Sequence, residues 1–276
     1  MKKKRWWALI PFYSFNLIFV IFPLLYMLWL SFQSQADLWN VSKTFTFQNY
    51  LQIFQPVYLQ TFKESFKLAF LSTLFVCLIG YPFGYYLARL PKKRKKRIMF
   101  LLMVPFWTNS LIRLYGWMIF FRARGALDQV LLHLGGIQQP LRLLYSYPVV
   151  LLGMVYMLLP FMILSVYASI EKMDWTWVEA AKSLGATSKK AFWTITFRAS
   201  LPGLLAGILL TFVPSMGLFF IADILGGNKV VLVGNVIQDQ LLRVHNWPFA
   251  ASLSVILMLL TLSMIYLYQK LFGEKS

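Results

Sequence analysis

The chain has 276 residues, of which 59% are hydrophobic, 18% aromatic and only 13% charged. Soluble globular domains contain about 45–50% apolar and about 25% charged residues, so this composition excludes an ordinary water-soluble domain and indicates an integral membrane protein. The net charge of +18 would point to nucleic acid in a soluble protein, but here it must first be judged against membrane topology. The single cysteine, Cys77, excludes an intramolecular disulfide.

Six apolar stretches are long enough to cross a membrane as helices, since a hydrocarbon core about 30 Å thick needs roughly 20 apolar residues. The predicted spans are about 8–32, 67–90, 98–121, 148–170, 203–224 and 250–272. The first is too long for a secretory signal, and no small-residue cleavage site follows it. We expect an all-α polytopic protein with an N-terminal anchor helix and external loop over 1–66 and a transmembrane domain over 67–272. Four prolines interrupt these spans and indicate bends around a cavity: Pro82, Pro105, Pro160 and Pro214.

Basic residues are distributed unequally across the membrane. Eighteen Lys and Arg residues lie on the side that holds the N-terminus, eight lie on the other, and Arg113 lies within the third span. This excess predicts a multi-pass protein of a bacterial inner membrane with both termini in the cytoplasm. The run Lys92–Arg97 resembles a nucleic-acid patch, but it occupies a short turn between spans. We interpret it as a topology anchor near anionic lipid, and we expect no nucleic-acid partner.

Two external segments, Gly125–Gly136 and 235–244, have apolar residues at helical spacing. Their histidines, His133 and His245, have no Cys or carboxylate neighbours at ligand spacing, so we interpret them as surface or packing residues. No Ser/His/Asp arrangement or inward carboxylate pair predicts catalysis. We therefore expect neither a metal site nor enzymatic activity.

The predicted cytoplasmic loop 171–199 between the fourth and fifth spans begins with the pattern of a helix–turn–helix. Asp174 is suited to the N-cap of a short helix, and Gly185 to the left-handed position that ends it. Trp177, Ala181 and Leu184 share one face and form a small apolar knob. Such a knob suits a groove on a soluble partner; the alternative is an ordinary amphipathic helix lying on the bilayer.

The spacing of Glu179-Ala180-Ala181, Gly185 and Ile195 resembles the EAA loop of ABC importer permeases, although Phe197-Arg198 stands where that family has Leu-Pro. The resemblance implies a type I ABC importer transmembrane domain whose coupling helix docks on a separate ATPase dimer. It assigns five residues to this coupling: Glu179, Ala180, Ala181, Leu184 and Gly185. It also implies that this subunit holds no cofactor and that ATP and Mg belong to the partner ATPase. The chain has no GxxxxGK[ST] phosphate loop.

A second set of segments resembles the spermidine/putrescine importer permeases, specifically those of the B type. These segments are Pro105–Gly116, Leu159–Phe161, Ser169–Asp174, Gly217–Phe219, Asp223 with Gly226-Gly227, Gly234–Ile237 and Trp247–Phe249. The resemblance implies an importer of polyamines. Its implied partners are a second, similar permease subunit, the ATPase dimer, an external substrate-binding protein and membrane lipid.

Polar and aromatic residues within the spans are candidates for the substrate path, because ammonium groups bind to carboxylates and to aromatic faces. The candidates are Asp223, Phe219, Phe220, Tyr156, Trp107, Tyr115 and Trp117. Asn109 and Arg113 lie one turn apart on the third span, and we assign them a gating or structural role. Arg113 either pairs with Asp223 or backbone carbonyls as a lock between helices, or gates the path.

Two alternatives remain open from the sequence. A related ABC importer for iron, thiamine or sulfate would share the EAA loop, and an anion carrier would make Arg113 the more natural site residue. A secondary transporter would be favoured by inverted repeats and buried acidic relays, and a membrane enzyme by clustered His and carboxylate ligands. We find neither pattern in the sequence.

Overall fold

A computed structural model describes residues 10–37, 40–136, 138–227 and 229–272. The basic residues 2–5 lie outside the described residues. In chain order the elements are α1 (Ile10–Asn16), a π-helical turn (Leu17–Ile21), α2 (Phe22–Ser31), β1 (Gln33–Gln35), β2 (Val41–Phe45), α3 (Gln48–Ile53), α4 (Pro56–Arg89), α5 (Lys92–Met103), a 3-10 turn (Val104–Trp107), α6 (Ser110–Phe121), α7 (Ala126–His133), α8 (Tyr147–Glu171), α9 (Thr176–Ser183), α10 (Ser188–Ala191), a π-helical stretch (Phe192–Thr196), α11 (Phe197–Gly217), α12 (Phe219–Gly226), α13 (Val233–Leu242) and α14 (Trp247–Phe272).

The all-α membrane class is confirmed. Among the described residues, five helical segments are long and apolar enough to span a membrane: Pro11–Ser31, Pro56–Arg89, Tyr147–Glu171, Ser188–Gly217 and Trp247–Lys270. A bent pair, Lys92–Trp107 with Ser110–His133, makes the sixth if it is counted as one span. The two short external helices predicted from periodicity are present as α7 and α13.

The third span is broken. Pro105 is the second residue of a 3-10 turn, Thr108 is extended at φ −102° and ψ 146°, and the chain restarts as α6. The two halves meet at 92°. The Asn109 side chain makes the restart possible, because it accepts a hydrogen bond of 2.8 Å from the Leu111 amide as the N-cap of α6. The bend expected at Pro105 is therefore present, whereas α4 and α8 continue through Pro82 and Pro160.

The predicted bounds of the fifth span, 203–224, were wrong. The helical segment runs over Ser188–Gly217, and Leu218 at φ −80° and ψ 50° separates it from α12. Asp223 therefore lies on a separate short helix rather than at the end of a long span. Pro202 and Pro214 lie within α11.

The chain divides into two compact units. One comprises Met1–Gln60 with Asn235–Met264. In it β1 and β2 form an antiparallel hairpin, and the buried Asn49 amide donates to the carbonyl oxygens of Ser31 (3.0 Å) and Gln33 (2.7 Å). This amide ties α3 to the end of α2 and to the hairpin, a contact that the sequence pattern did not predict.

The second unit comprises Thr61–Gly234 with Ile265–Ser276 and contains the candidate site. Its centre is α8, whose Met162 is fully buried. A Cβ built on Gly80 of α4 would lie 2.7 Å from Met162 Cγ, and one built on Gly207 of α11 would lie 2.6 Å from Met162 Sδ. Glycines thus allow helices on both sides to pack against α8, the small-residue packing common between membrane helices.

Candidate functional site

Residues that the sequence singled out shape both ends of α9, but the N-cap is Trp175, and Asp174, which was predicted as the N-cap, lies one residue before it. An Asp174 carboxylate oxygen accepts a hydrogen bond of 3.0 Å from the Thr176 amide, and this bond lowers the pKa of Asp174. Gly185 has φ +86°, and its amide donates to Lys182 O at 2.9 Å while the Ala186 amide donates to Ala181 O at 3.0 Å. These two bonds form a Schellman motif, which ends the helix after two turns.

Two apolar side chains of the α9 region, Trp177 and Leu184, are exposed, and we call them the tip of α9. Leu184 is 89% exposed and Trp177 is 60% exposed, while Ala181 is half-buried. Glu179 and Ala180 are also exposed. Burying an exposed leucine and an exposed tryptophan against a partner surface lowers the free energy, because it removes apolar area from water.

The base of α9 is held by a cation–aromatic cluster that we call the clamp, formed by Tyr85, Arg89 and Trp175. The Arg89 guanidinium carbon lies 5.3 Å from the centroid of the Trp175 ring and 5.5 Å from that of Tyr85. Arg89 Nη1 also donates to the Tyr85 hydroxyl at 3.0 Å. Because Tyr85 and Arg89 end α4, the clamp ties the start of α9 directly to a long helix.

A second link joins the basic run to the same region. Lys95 Nζ lies 2.6 and 2.8 Å from the two Glu171 carboxylate oxygens and 5.7 Å from the Tyr167 ring centroid. The Lys95 side chain is only 14% exposed, so this pair is better shielded than an ordinary surface pair. The run Lys92–Arg97 therefore also makes a specific tertiary contact, which sequence reasoning missed.

The chain after α9 continues as one helical segment into the membrane. Thr187 caps α10 by accepting from the Lys190 amide at 3.3 Å, and helical structure then extends without a gap to Gly217. The Phe197 ring packs on Trp193 at 4.9 Å. Arg198, which stands where the EAA loop has a proline, lies within this uninterrupted helical segment.

The candidate residues of the third span do not all lie together in the structure. The Arg113 guanidinium carbon lies 5.7 Å from the Tyr156 ring centroid, and Trp117 packs edge-on against Tyr156 at 5.5 Å. Arg113 Nε is buried and has no hydrogen-bond partner among the described residues. A cavity of about 280 Å³ opens beside it, lined by Arg113, Gly116, Trp117 and Phe120.

Trp107 and Tyr115 lie elsewhere on the surface. Trp107 is 72% exposed and packs its ring on Phe100 at 5.4 Å, on the other side of the break in the third span. Tyr115 is half exposed. The structure therefore brings together Arg113 and two of the aromatic candidates for the path, Tyr156 and Trp117.

The α12 helix has one buried and one open face. Ile221, Ala222 and Leu225 are buried, and two of them pack against Gly153 of α8, where a Cβ would lie 2.5 Å from Leu225 Cδ1. Asp223 is on the exposed face. Phe219 and Phe220 are half-buried with ring centroids 6.4 Å apart. An exposed carboxylate on the same short helix as two aromatic rings is suited to an ammonium group.

Comparison with known proteins identifies relatives over most of the chain. Residues 80–272 match the family model described as binding-protein-dependent transport system inner membrane component. The spermidine/putrescine transport system permease protein PotB of Escherichia coli (strain K12) is 42% identical over 251 residues, covering 91% of this chain and 91% of that protein. PotB of Haemophilus influenzae is 39% identical over 258 residues, covering 94% and 90%.

Solved structures with the same fold are transporters. One is a bacterial alginate ABC transporter in complex with a periplasmic protein bound to alginate pentasaccharide, with a TM-score of 0.80, 15% identity and coverage of 98% of this chain and 94% of that one. Another is the methionine ABC transporter MetNI in inward-facing conformations, with a TM-score of 0.58, 17% identity and coverage of 77% and 93%. At these identities the likeness shows the fold alone.

Proposed function

The chain belongs to the family of binding-protein-dependent transport system inner membrane components, and from this premise we propose that it is the membrane-spanning permease subunit of an ATP-driven ABC importer that carries polyamines, spermidine and putrescine, into the cytoplasm. The observation that carries the cargo assignment is the identity of 42% to PotB over nearly the whole of both chains. The ATP-driven step is supported by α9, which has an exposed apolar tip and a rigid base.

We assign ATP binding and hydrolysis to a separate ATPase dimer, whose grooves take the exposed tip of α9. A second, similar permease completes the path, and an external binding protein delivers the cargo. When the ATPases close, they pull on α9. The clamp transmits this pull to α4, and the unbroken helix after Thr187 transmits it to α11.

Uptake of labelled spermidine tests this function. The subunit is reconstituted into proteoliposomes with its partner permease, ATPase and binding protein, with and without ATP on the ATPase side. ATP-dependent uptake that putrescine competes, and that sulfate and amino acids do not, is the expected result. If another loaded binding protein stimulates the ATPase while spermidine uptake is absent, the cargo is a different solute and the coupling proposal stands.

We place Asp223, with Phe219 and Phe220, on the path of the cation. Replacing Asp223 with Asn should raise the spermidine concentration for half-maximal uptake several fold, because the carboxylate charge that attracts an ammonium group is lost. Asp239→Asn is the matched control, since Asp239 is a half-exposed acid paired with Arg243 on another short helix. Unchanged rate and affinity in Asp223→Asn would remove Asp223 from the path.

The Arg113–Tyr156 contact supports a gating role for Arg113, because its guanidinium lies over an aromatic face that an ammonium group could otherwise use. A positive charge there also opposes a polycation. Arg113→Glu should therefore change polyamine uptake in the opposite direction from Asp223→Lys. If charge reversal at Arg113 instead abolished transport of an anion, the importer would carry anions.

Replacing Trp175 with Ala should reduce the number of substrates imported per ATP hydrolysed several fold. The exposed tip of α9 is kept in this variant, so the ATPase still binds, but Arg89 loses an aromatic face and the link to α4 loosens. Trp29→Ala removes a half-exposed tryptophan from α2, outside the elements proposed to transmit the pull, and should leave the ratio unchanged. Equal ratios in both variants would show that the clamp does not transmit force.

A further inference from the structure

A basic pocket lies in the second unit, beside the ends of α6 and α12. Its volume is about 550 Å³, and three cationic side chains line it, those of Arg122, Arg142 and Lys229. Apolar side chains, among them Met118 and Leu144, also line it. A cavity of this size accommodates a small ligand or the headgroup of a larger one. The wall offers positive charge next to apolar surface, as the binding of an amphipathic anion requires.

The three pocket cations have no acidic neighbour in the part of the chain that the structure describes. The ion pairs found there involve Lys67, Lys95 and Arg243, and none involves a pocket cation. All three pocket side chains are exposed. Because like charges around one pocket repel one another, the pocket favours an anionic occupant.

A buried acid holds the two segments that carry Arg122 and Arg142. Asp128 is 2% exposed, and its two carboxylate oxygens accept hydrogen bonds from the amides of Arg124 (2.8 Å) and Leu141 (3.1 Å). Arg124 lies two residues after Arg122, and Leu141 lies directly before Arg142. The carboxylate therefore fixes the backbone on both sides of α7 without neutralising the pocket.

Tyr145 forms a further part of the wall and ties it to α12. Its φ is +64°, a left-handed value that is rare for an aromatic residue, and its amide donates to Leu225 O at 3.0 Å. Its ring packs against Gly227, where a Cβ would lie 2.8 Å from Tyr145 Cγ. Such strain persists only where surrounding contacts maintain it, and it clusters at ligand sites and other functional positions.

The pocket lies at the depth of lipid headgroups. Helix α8 has 25 residues and extends about 37 Å at a rise of about 1.5 Å per residue, whereas the hydrocarbon core is about 30 Å thick and the bilayer with its headgroups about 40–45 Å. Tyr147, the first residue of α8, therefore reaches the headgroup layer. Tyr145 precedes it by two residues and lines the same pocket as the three cations, so the pocket opens into this layer.

The side of α6 that carries Arg122 is apolar and exposed. Arg113, which lies over the Tyr156 ring, is nine residues from Arg122, or about two and a half helical turns, so the two arginines lie on opposite sides. Leu111 and Ile119 lie on the same side as Arg122 and are 42% and 56% exposed. Exposed apolar side chains along a membrane-spanning helix are suited to acyl chains. Arg122 thus stands at the headgroup end of an apolar side.

We propose that this pocket binds the headgroup phosphate of an anionic phospholipid, whose acyl chains lie along the Leu111 and Ile119 side of α6. Phospholipids bring phosphate to this depth wherever a protein spans a bilayer, so the membrane itself supplies both the charge and the access. An acidic protein would have to reach into the headgroup layer to take the same place. A zwitterionic lipid would add a fourth positive group to the pocket, and for this reason the site selects an anionic lipid.

The test uses photoreactive phosphatidylglycerol, labelled on its headgroup, in phosphatidylcholine nanodiscs that hold the permease with its partner subunits. The measurement is the mole fraction of this lipid that gives half-maximal labelling of the peptide containing Tyr145. The pocket variant carries Arg122→Gln, Arg142→Gln and Lys229→Gln. We expect the half-maximal mole fraction to rise at least about tenfold in this variant, because each basic residue near the headgroups strengthens binding to anionic lipid.

A control variant carries Lys63→Gln, Lys67→Gln and Arg243→Gln. It removes the same number of charges, but two of these residues are paired with acids in the structure. Its half-maximal mole fraction should equal that of the wild type. An equal rise in both variants would mean that the lipid responds to net charge alone, and wild-type affinity in the pocket variant would remove the phosphate from the pocket. Either result overturns the inference.

Competition on the wild-type complex tests the site without relying on the fold of a variant. Unlabelled phosphatidylglycerol should displace the label from the Tyr145 peptide, whereas inorganic phosphate in the same molar excess should not, because it has no acyl chains to bind along α6. Displacement by inorganic phosphate would make the occupant a free anion. Displacement by the external binding protein alone would make it an acidic protein. Labelling confined to peptides outside the pocket would likewise contradict the inference.

Discussion

Replacing Leu184 with Asp should abolish ATP-driven uptake while the permease still folds and assembles. Leu184 is 89% exposed, so its removal costs the isolated subunit almost nothing. Burying a leucine in a groove is worth about 1.5–3 kcal/mol, and a carboxylate placed there adds a desolvation cost. Loss of the leucine burial alone weakens binding about tenfold to a hundredfold. The measurements are the dissociation constant of the ATPase from the permease in nanodiscs and the rate of spermidine uptake.

The matched control is Leu134→Asp. Leu134 also follows the last residue of a short helix, and it is 77% exposed, but it lies in the predicted external loop after α7. Its substitution should leave ATPase affinity unchanged. Normal ATPase binding by Leu184→Asp would mean that α9 is an amphipathic helix on the bilayer and not a docking element.

Adding one methyl group at Gly203 should destabilise the transmembrane unit by about 1–3 kcal/mol, as is usual when a close-packed core is overfilled. A Cβ at Gly203 would lie 2.5 Å from the Ser165 carbonyl oxygen and would also collide with Ser169 Cβ, so α8 and α11 must separate. The Ser165 carbonyl oxygen belongs to the backbone, so it cannot move aside as the end of a flexible side chain can. Gly203→Ala should therefore lower the thermal unfolding midpoint of the detergent-solubilised complex, measured by circular dichroism, by several degrees.

The control at Gly116 has the opposite expected sign. A Cβ at Gly116, within α6, meets no atom within 4 Å. There Ala should be neutral or stabilising by up to about 1 kcal/mol, because it restricts the unfolded chain and favours the helix. If Gly203→Ala also raised the midpoint, α8 and α11 would not be as closely packed as the structure has them.

Local features of the candidate site could be predicted from the sequence. Asp174 accepts a hydrogen bond from the first amide of α9 from one residue before the N-cap, and Gly185 ends the helix; both use contacts no more than five residues apart. The apolar tip could likewise be predicted, because helical periodicity places Trp177 and Leu184 on one face. The motif Gly203-xxx-Gly207 was also readable, and with Gly80-xxx-Gly84 it was the available signal for close packing around α8, which the sequence analysis did not use.

Contacts between distant segments could not be predicted in this way. The clamp joins Arg89 to Trp175, and Lys95 pairs with Glu171 across 76 positions. Nothing in the local pattern of either partner indicates the other. The same holds for Asp128, a buried acid whose carboxylate oxygens accept hydrogen bonds from the amides of Arg124 before α7 and Leu141 after it.

The amino-acid sequence by itself determined the membrane class, most of the spans, the short helix α9 and the family, because each depends on composition, on helical periodicity or on spacing along the chain. Only the tertiary structure decided that the third span breaks at Thr108, that Asp223 lies on the separate helix α12 and that Arg113 lies against Tyr156. These features depend on which helices pack together, and packing is set by long-range shape and by hydrogen bonds that a local pattern does not encode.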